Sequence, residues 1–548
     1  MSPTRRVVSC ASFVSCLMVL SWAAVASAQF YDPTLRSLDF GLDDVARSPR
    51  LLGMGGLSLV VPDRNASYSL WDLAALPAGL YADDTTSTLD LRPGTDALSS
   101  VSRIELGRER QDLASRRTAT QTEAVYRNHE TGSMFGFVGD LSSLRWDHPY
   151  APTIAARGTT LPIELRESLV HPEANAILGG EIPRYFHHHL RWGAHLRFRD
   201  ETVEDQYRLI VENAAGQYID LAGGEVPAPA EFTPTSVDVN TTGIGVSTAY
   251  AMGRRTQVGF GIERQTDDIH STNDLIRSSS EFHEKRPYWN GQAALVGGFG
   301  KSFEYGITAT GRLAKSDVDW RFSADAGVGA EPLTGRGNML TRDERSSEMR
   351  ARARWSSGRA TIAGSLYTEA SKVLVDPPHA NDATSLNRFI NAAFNRAGTD
   401  TLSLPDSIVH GESRRNAWGM GAGVGYRFRH TTVGGEFHWS RDVRFTLTQG
   451  AGPQRIAWDV RGGLEQPMGA RMKGRLGYAY HWVDEDDFTA GNEFKANAVS
   501  AGLGYAPAGA SWTLESAYRL EFRTQDFSSA SDRRQSRQNI ALELHWAF

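Results

Sequence analysis

Cysteine is almost missing from this chain of 548 residues, which carries only Cys10 and Cys16. Both fall in the first 28 residues, where Arg5 and Arg6 precede a mostly apolar stretch from Val7 to Val25. Ala26-Ser27-Ala28 then supplies a small-x-small cleavage signal ahead of Gln29. The pattern predicts a signal peptide over residues 1–28 and an exported mature chain. A retained single anchor would leave that cleavage signal without a role, and neither cysteine sits where a lipoprotein would need it, at the end of the apolar segment. Once the signal is removed, disulfides, thiolate metal sites and cysteine nucleophiles are excluded together.

Long apolar runs are missing as well. Hydrophobic residues make up 40% of the chain, and beyond the signal none of them gather into the roughly 18 consecutive positions that a membrane-spanning helix needs. An excess of positive charge is also lacking. The 58 basic and 64 acidic residues become 56 and 64 when Arg5 and Arg6 leave, a net of about −8. That balance gives no footing for a nucleic-acid partner. No Gly-x-Ser-x-Gly elbow, His-Glu-x-x-His pair or phosphate loop occurs, so no enzyme is indicated and no cofactor is called for.

What the chain has in quantity is alternation. Trp418, Met420, Ala422, Val424, Tyr426 and Phe428 alternate with Gly419, Gly421, Gly423, Gly425, Arg427 and Arg429. A strand built this way has one apolar face and one small or charged face. After a tight connection at His430 and Thr431 the pattern resumes through Val433, Phe437, Trp439, Val443, Phe445 and Leu447. Strands of water-soluble sheets average about 5 to 6 residues, whereas this alternation holds for a dozen or more. A tilted membrane-spanning strand needs roughly 9 to 11, with apolar side chains toward lipid and polar ones toward a lumen. The hairpin therefore predicts two staves of a transmembrane antiparallel barrel.

The same pattern recurs at Leu190 to Arg199, Met349 to Trp355 and Met472 to Trp482. Short links are expected at His129 to Gly132, Ile182 to Arg184, Gly253 to Arg255, Gly300 to Ser302, Ser356 to Gly358, His430 to Thr431, Pro467 to Ala470 and Ala506 to Ala510. Long polar returns are expected at Ser142 to Pro172, Glu201 to Asn240, Asp317 to Arg342 and Ser371 to Arg414. Eight links joining sixteen strands, with one strand before and one after, predict about 18 strands, within a range of 14 to 18, and an even number suits a bacterial barrel. The first strand is ambiguous, because Thr85 to Leu91 and Val101 to Gly107 both qualify. Trp289, Trp439, Trp458, Trp512 and Trp546 fit aromatic girdles at the two interfaces. A secreted soluble sandwich is the competing architecture.

Ahead of the strands, residues 29–82 lack long alternation. They contain Gly53-Met54-Gly55-Gly56 and, some twenty residues later, Pro77-Ala78-Gly79-Leu80. This segment resembles the N-terminal signature of the long-chain fatty-acid transporter (FadL-type) superfamily of outer-membrane barrels, and the secretion-associated barrels of the PorV type are similar in the same place. Leu76 stands where the family has asparagine. The resemblance implies a plug or hatch over residues 29–82, shaped by Gly53, Gly55, Gly56, Pro77 and Ala78, followed by a barrel over residues 83–548. Glycine repeats of this kind also occur in plain turns, where positive φ is needed. The closing run Ile540, Leu542, Leu544, Trp546, Phe548 resembles the recognition signal for the barrel-assembly machinery.

Arg350, Arg352 and Arg354, with Arg427 and Arg429, share the polar parity of their strands and are expected to line the lumen, since an Arg at the lipid midplane costs roughly 2 to 4 kcal/mol. Two accounts of them stand. Glu263, Glu304, Glu436, Asp459, Glu515 and Glu543 have the parity to pair with arginines across the lumen; alternatively, some arginines attract an anionic head group such as a carboxylate. His187 to His189 offers a metal only two side chains on one strand face, too few for a usual zinc site. Asp484 to Asp487 is expected to be a solvated loop. The location implied is the outer membrane of a Gram-negative-type bacterium, with its lipids as neighbours. Passive transport of hydrophobic or amphipathic small molecules is the first function implied by the resemblance. A docking or shuttle role for secreted proteins is the second, and an open porin the third.

Overall fold

The computed structural model describes residues 48–61, 87–106, 109–146, 153–156, 159–182, 190–209, 233–252, 256–275, 278–299, 302–324, 333–376, 411–446, 450–486, 491–527 and 531–548. Among the described residues one short helix, α1 (Pro49–Gly53), precedes nineteen strands. They are β1 (Thr88–Leu106), β2 (Glu109–Asn128), β3 (Ser133–Trp146), β4 (Thr153–Ala156), β5 (Thr159–Ile182), β6 (Leu190–Leu209), β7 (Thr233–Ala251), β8 (Gln257–Leu275), β9 (Ser278–Phe299), β10 (Phe303–Ala324), β11 (Leu333–Ser357), β12 (Ala360–Asp376), β13 (Gly411–Phe428), β14 (Thr431–Thr446), β15 (Gly450–Pro467), β16 (Met472–Asp486), β17 (Gly491–Tyr505), β18 (Trp512–Phe527) and β19 (Ser531–Ala547).

Apart from β4, each strand pairs antiparallel with its neighbour along the chain, and β19 closes the ring on β1 from Thr88↔Ala547 to Ile104↔Ser531. Strand β4 is outside the ring. It pairs only with the outer end of β5, from Thr153↔Pro162 to Ala156↔Thr159, while β3 pairs directly with β5. Nineteen strands less this one leave a closed barrel of eighteen. A closed barrel has no unpaired edge, which is the condition for strands to cross a bilayer.

Parity sorts the wall. Met420, Val424, Ile362, Leu366, Leu476, Val499, Phe522 and Ile540 stand exposed on the outside, where lipid is their natural solvent. Alternate residues turn inward and are charged to an unusual degree: Arg475, Arg523 and Glu521 are among the largest fully buried side chains. Aromatic rings mark the limits of the apolar band. Trp439, Trp458 and Trp482 oppose one another in a single row across β14, β15 and β16, and Trp418 packs edge-on against Trp439 at 4.5 Å. Toward the other end Trp512 meets Tyr505, and Trp546 meets Phe548. The chain is thus a transmembrane barrel of the outer-membrane kind.

Two expectations are revised by the strands. Thr85 to Leu91 and Val101 to Gly107 are not rivals, because β1 is one strand of 19 residues that takes in Thr88 to Leu91 of the first and Val101 to Leu106 of the second. Its pairing with β2 continues across Pro93 and Gly94. The long returns are also shorter than their polarity suggests. Strand β10 reaches Ala324 and β11 starts at Leu333, so most of Asp317 to Arg342 is paired wall. Above the membrane both faces of a strand meet water, and alternation no longer marks it.

Candidate functional site

The site is built where residues 48–61 lie against the inner wall. Helix α1 starts at Ser48, whose hydroxyl accepts from the Leu51 amide at 3.4 Å, and Pro49 occupies the first turn, where no backbone donor is missed. It stops after one turn because Gly55 and Gly56 take φ values of 75° and 84°. There the Gly56 amide donates back to the Leu51 carbonyl at 2.8 Å, as helix ends closed by left-handed glycine do. The chain then runs on to Val61.

Beneath it the wall has almost no side chains. Gly425, Gly434, Gly463 and Gly477 oppose one another in one unbroken row across β13 to β16, and Ser500 on β17 completes it. A β-carbon on Gly463 would sit 2.2 Å from the Met54 carbonyl oxygen, and one on Gly477 would sit 1.9 Å from the Gly55 nitrogen. Glycine inside a strand weakens the strand, and close approach of another backbone is a recognised reason to keep it. The Ser500 hydroxyl accepts from the Gly55 amide at 3.0 Å. Gly53 lies on Gly502, and Val60 lies on Gly423 and Gly425. From β17 to β13 is four strand spacings, about 19 Å; seven residues of extended chain reach at most about 25 Å. The segment therefore crosses the wall at about three quarters of its full reach.

Charged side chains fasten it at both ends. Arg50 forms a two-pronged pair with Glu465, Nε to Oε2 at 2.9 Å and the second guanidinium nitrogen to Oε1 at 3.0 Å. Glu465 is shared with Arg475, which also holds Glu515 at 2.6 Å. At the far end Glu436 accepts three backbone amides: Ser58 at 3.0 Å, Leu59 at 2.6 Å and Val60 at 2.9 Å. Between them Arg461, itself gripped by Asp459, donates to the Gly56 carbonyl at 3.0 Å, and Arg352 donates to the Ser58 carbonyl. Leu51, Met54, Leu57, Leu59, Val60 and Val61 form a buried apolar cluster with Ala363 of the wall.

The residues anticipated from sequence fall as follows. Gly53, Gly55 and Gly56 all belong to the seated segment, whereas Pro77 and Ala78 lie outside the described residues. Arg352 touches the segment. Arg354 pairs with Glu304, and Arg350 pairs with Glu348 while its guanidinium lies 5.8 Å from the Tyr367 ring. Arg427 is exposed near the short-turn rim. Arg429 is in the β13–β14 turn itself, at φ 50°. Every acidic residue picked out by parity has a partner: Glu263 meets His195, Glu304 meets Arg354, Glu436 meets the segment, Asp459 meets Arg461, Glu515 meets Arg475 and Glu543 meets Arg92. Salt bridging along the wall therefore accounts for most of the inward arginines. His187 to His189 and Asp487 lie outside the described residues. Among the described residues no group of three or more His, Cys, Asp or Glu is arranged to hold a metal.

The fold and this seat define a class: an eighteen-stranded outer-membrane barrel with an N-terminal segment docked on its inner wall. No protein-family model and no curated protein matches the chain. Among solved structures it is similar in outline to a TodX monoaromatic hydrocarbon channel mutant (TM-score 0.39, 12% identity, 93% of this chain and 100% of that one). Two further likenesses are the toluene transporter TbuX of Ralstonia pickettii (0.37, 11%, 92% and 100%) and a FadL homologue of Pseudomonas aeruginosa (0.32, 11%, 90% and 100%). Scores and identities this low carry no weight for what this chain does.

Proposed function

We propose that the chain is a passive channel for hydrophobic or amphipathic small molecules such as fatty acids, closed at rest by its N-terminal segment. The observation that supports this best is the way residues 48–61 are fastened: by ion pairs and hydrogen bonds to a glycine row, with a small apolar cluster. Contacts of this kind are exchangeable. Lifting the segment returns Glu436, Glu465 and Arg461 to an aqueous lumen and takes Leu51, Met54 and Leu57 off the wall. A hydrophobic solute can then cover the apolar surface that the wall covered before. Gly53, Gly55 and Gly56 are the gating positions within the described residues; Pro77 and Ala78 are assigned to the same segment from the sequence. Some of the inward arginines would meet the head group of an amphipathic cargo.

A second function, docking of secreted proteins, is favoured by one observation. Strands β10 and β11 are 22 and 25 residues long, about twice what the bilayer needs, and raise a polar wall above it. The test is gentle detergent extraction followed by mass spectrometry of what stays bound, on the wild type and on Gly477→Val. A stoichiometric apolar molecule, held at higher occupancy by the variant whose segment is displaced, is the expected result. A soluble exported protein in its place, with no small ligand, would overturn the channel and leave the docking role.

A further inference from the structure

The short-turn rim between β11 and β16 carries positive charge that no carboxylate among the described residues answers. Arg359 lies in the β11–β12 turn, Arg427 near the end of β13 with Arg429 in the turn beyond it, and Arg471 and Lys473 at the β15–β16 turn; all five are exposed. These turns are neighbours around the rim. The Arg427 amide donates to the Arg359 carbonyl at 2.9 Å, and the Thr431 hydroxyl meets Gln466. The acidic residues nearest to the five are already engaged: Glu304 pairs with Arg354, Glu465 with Arg50 and Arg475, and Glu515 with Arg475. The turns from β11–β12 to β17–β18 hold no acid, and Glu130 is the only one on any short link of the chain. Arg184, Arg254, Arg255 and Lys301, on other short links, lie outside the described residues.

Parity decides what can meet this charge. Arg427 shares the parity of Gly425, which lies under Val60, and Lys473 shares that of Arg475, so both face the lumen mouth. The lipid-facing positions beside them are Tyr426, Phe428, Met472 and Tyr505, all exposed. The bilayer therefore meets rings and a thioether in this sector, and the cations meet water. Each of the three turns has two to four residues between strand ends, so they stand flush with the wall, on the periplasmic side where bacterial barrels keep their short connections. From the β11–β12 turn to the β15–β16 turn is four strand spacings, about 19 Å, which six extended residues also span. Every second residue of such a segment faces one way, at intervals of roughly 7 Å, and guanidinium forks match carboxylates.

We propose that Arg359, Arg427, Arg429, Arg471 and Lys473 form the docking site for an acidic segment of a soluble periplasmic protein. The site is at the opposite end of the barrel from the raised wall of β10 and β11 and is independent of whatever the lumen carries. It adjoins the seat of the N-terminal segment, since Lys473 is two residues from the Arg475 that holds Glu465 and Glu515.

The test uses the full-length protein in intact cells, with a photo-cross-linking amino acid at Ala470, exposed in the β15–β16 turn, and mass spectrometry of the adducts. One exported protein, joined through a stretch rich in Asp and Glu, is the expected result. The triple variant Arg429→Gln, Arg471→Gln, Lys473→Gln is expected to lower the yield of that adduct about 30-fold, since three exposed ion pairs together contribute about that factor in affinity. Lys315→Gln, Arg321→Gln, Arg336→Gln removes equal charge at the opposite end of β10 and β11 and is expected to leave the yield unchanged. Heat-modifiable migration on a gel checks that both variants form the barrel. An adduct only to phospholipid, to a cell-wall fragment or to residues 29–47 of the chain itself, which include Asp39, Asp43 and Asp44, would overturn the site. So would a protein joined through a stretch without acidic residues, the absence of any protein adduct, an unchanged yield in the folded rim variant, or equal loss in the two triple variants.

Discussion

Replacing Glu436 by alanine removes the acceptor for three consecutive backbone amides of the seated segment. A hydrogen bond to a charged group contributes roughly 1.5 to 3 kcal/mol. The lower figure applies here, because amides released into the lumen are rehydrated, so the three together amount to about 4 kcal/mol, or roughly a thousand-fold in the ratio of seated to unseated segment. Glu436→Gln divides that sum. Oε1 receives Leu59 and Val60 and Oε2 receives Ser58, so an amide oxygen in the first position keeps two bonds, now neutral, and loses the third. An intermediate change, about 30-fold, is expected if half the free energy survives. The assay is hydrogen exchange at Ser58, Leu59 and Val60 in the refolded barrel, with β13 and β14 amides as the internal reference. Protection at those three positions equal to the wild type in Glu436→Ala would refute the carboxylate's role as the anchor.

Three further outcomes are expected. Gly477→Ala puts a methyl group where the Gly55 nitrogen sits, so exchange over residues 53–56 rises to that of an undocked chain, whereas Gly425→Ala, with 3.3 Å to the Val60 β-carbon, leaves the segment seated; equal behaviour of the two variants would contradict the glycine row. Arg50→Ala breaks the pair with Glu465 but leaves that carboxylate its bond to Arg475 at 2.8 Å; a loss on the order of 1.5 kcal/mol makes exchange across residues 49–53 about tenfold faster, without unfolding the barrel. Leu366→Arg, on the exposed face, costs roughly 2 to 4 kcal/mol in refolding into lipid vesicles, and an unchanged denaturant midpoint would place that face elsewhere than lipid.

Alternation made the barrel legible, and it did so only as deep as the membrane. Between the girdles one face meets lipid and the other the lumen, so Trp418 to Phe428 announces its strand without ambiguity. Pro93-Gly94-Thr95 interrupts the pattern inside β1, and one strand looks like two. At Leu333 to Arg342 both faces are polar, and paired wall looks like loop. The seat was half legible. Gly53, Gly55 and Gly56 stand out because three glycines in four residues are rare within any regular element. Their counterparts do not, for Gly434, Gly463 and Gly477 align only once the register of four strands is known. Glu436 and Glu465 carry the right parity to face the lumen, yet parity says nothing of which backbone, some 376 to 415 residues earlier, they will hold.

That separation has a consequence for the order of events. The guest of the glycine row is made first and its host nearly last, since the row belongs to β13 through β17. Until those strands have paired there is nothing flat enough to lie on and no carboxylate in position to grasp it. Seating of the segment therefore follows the pairing of those strands and is a late step in the assembly of each molecule.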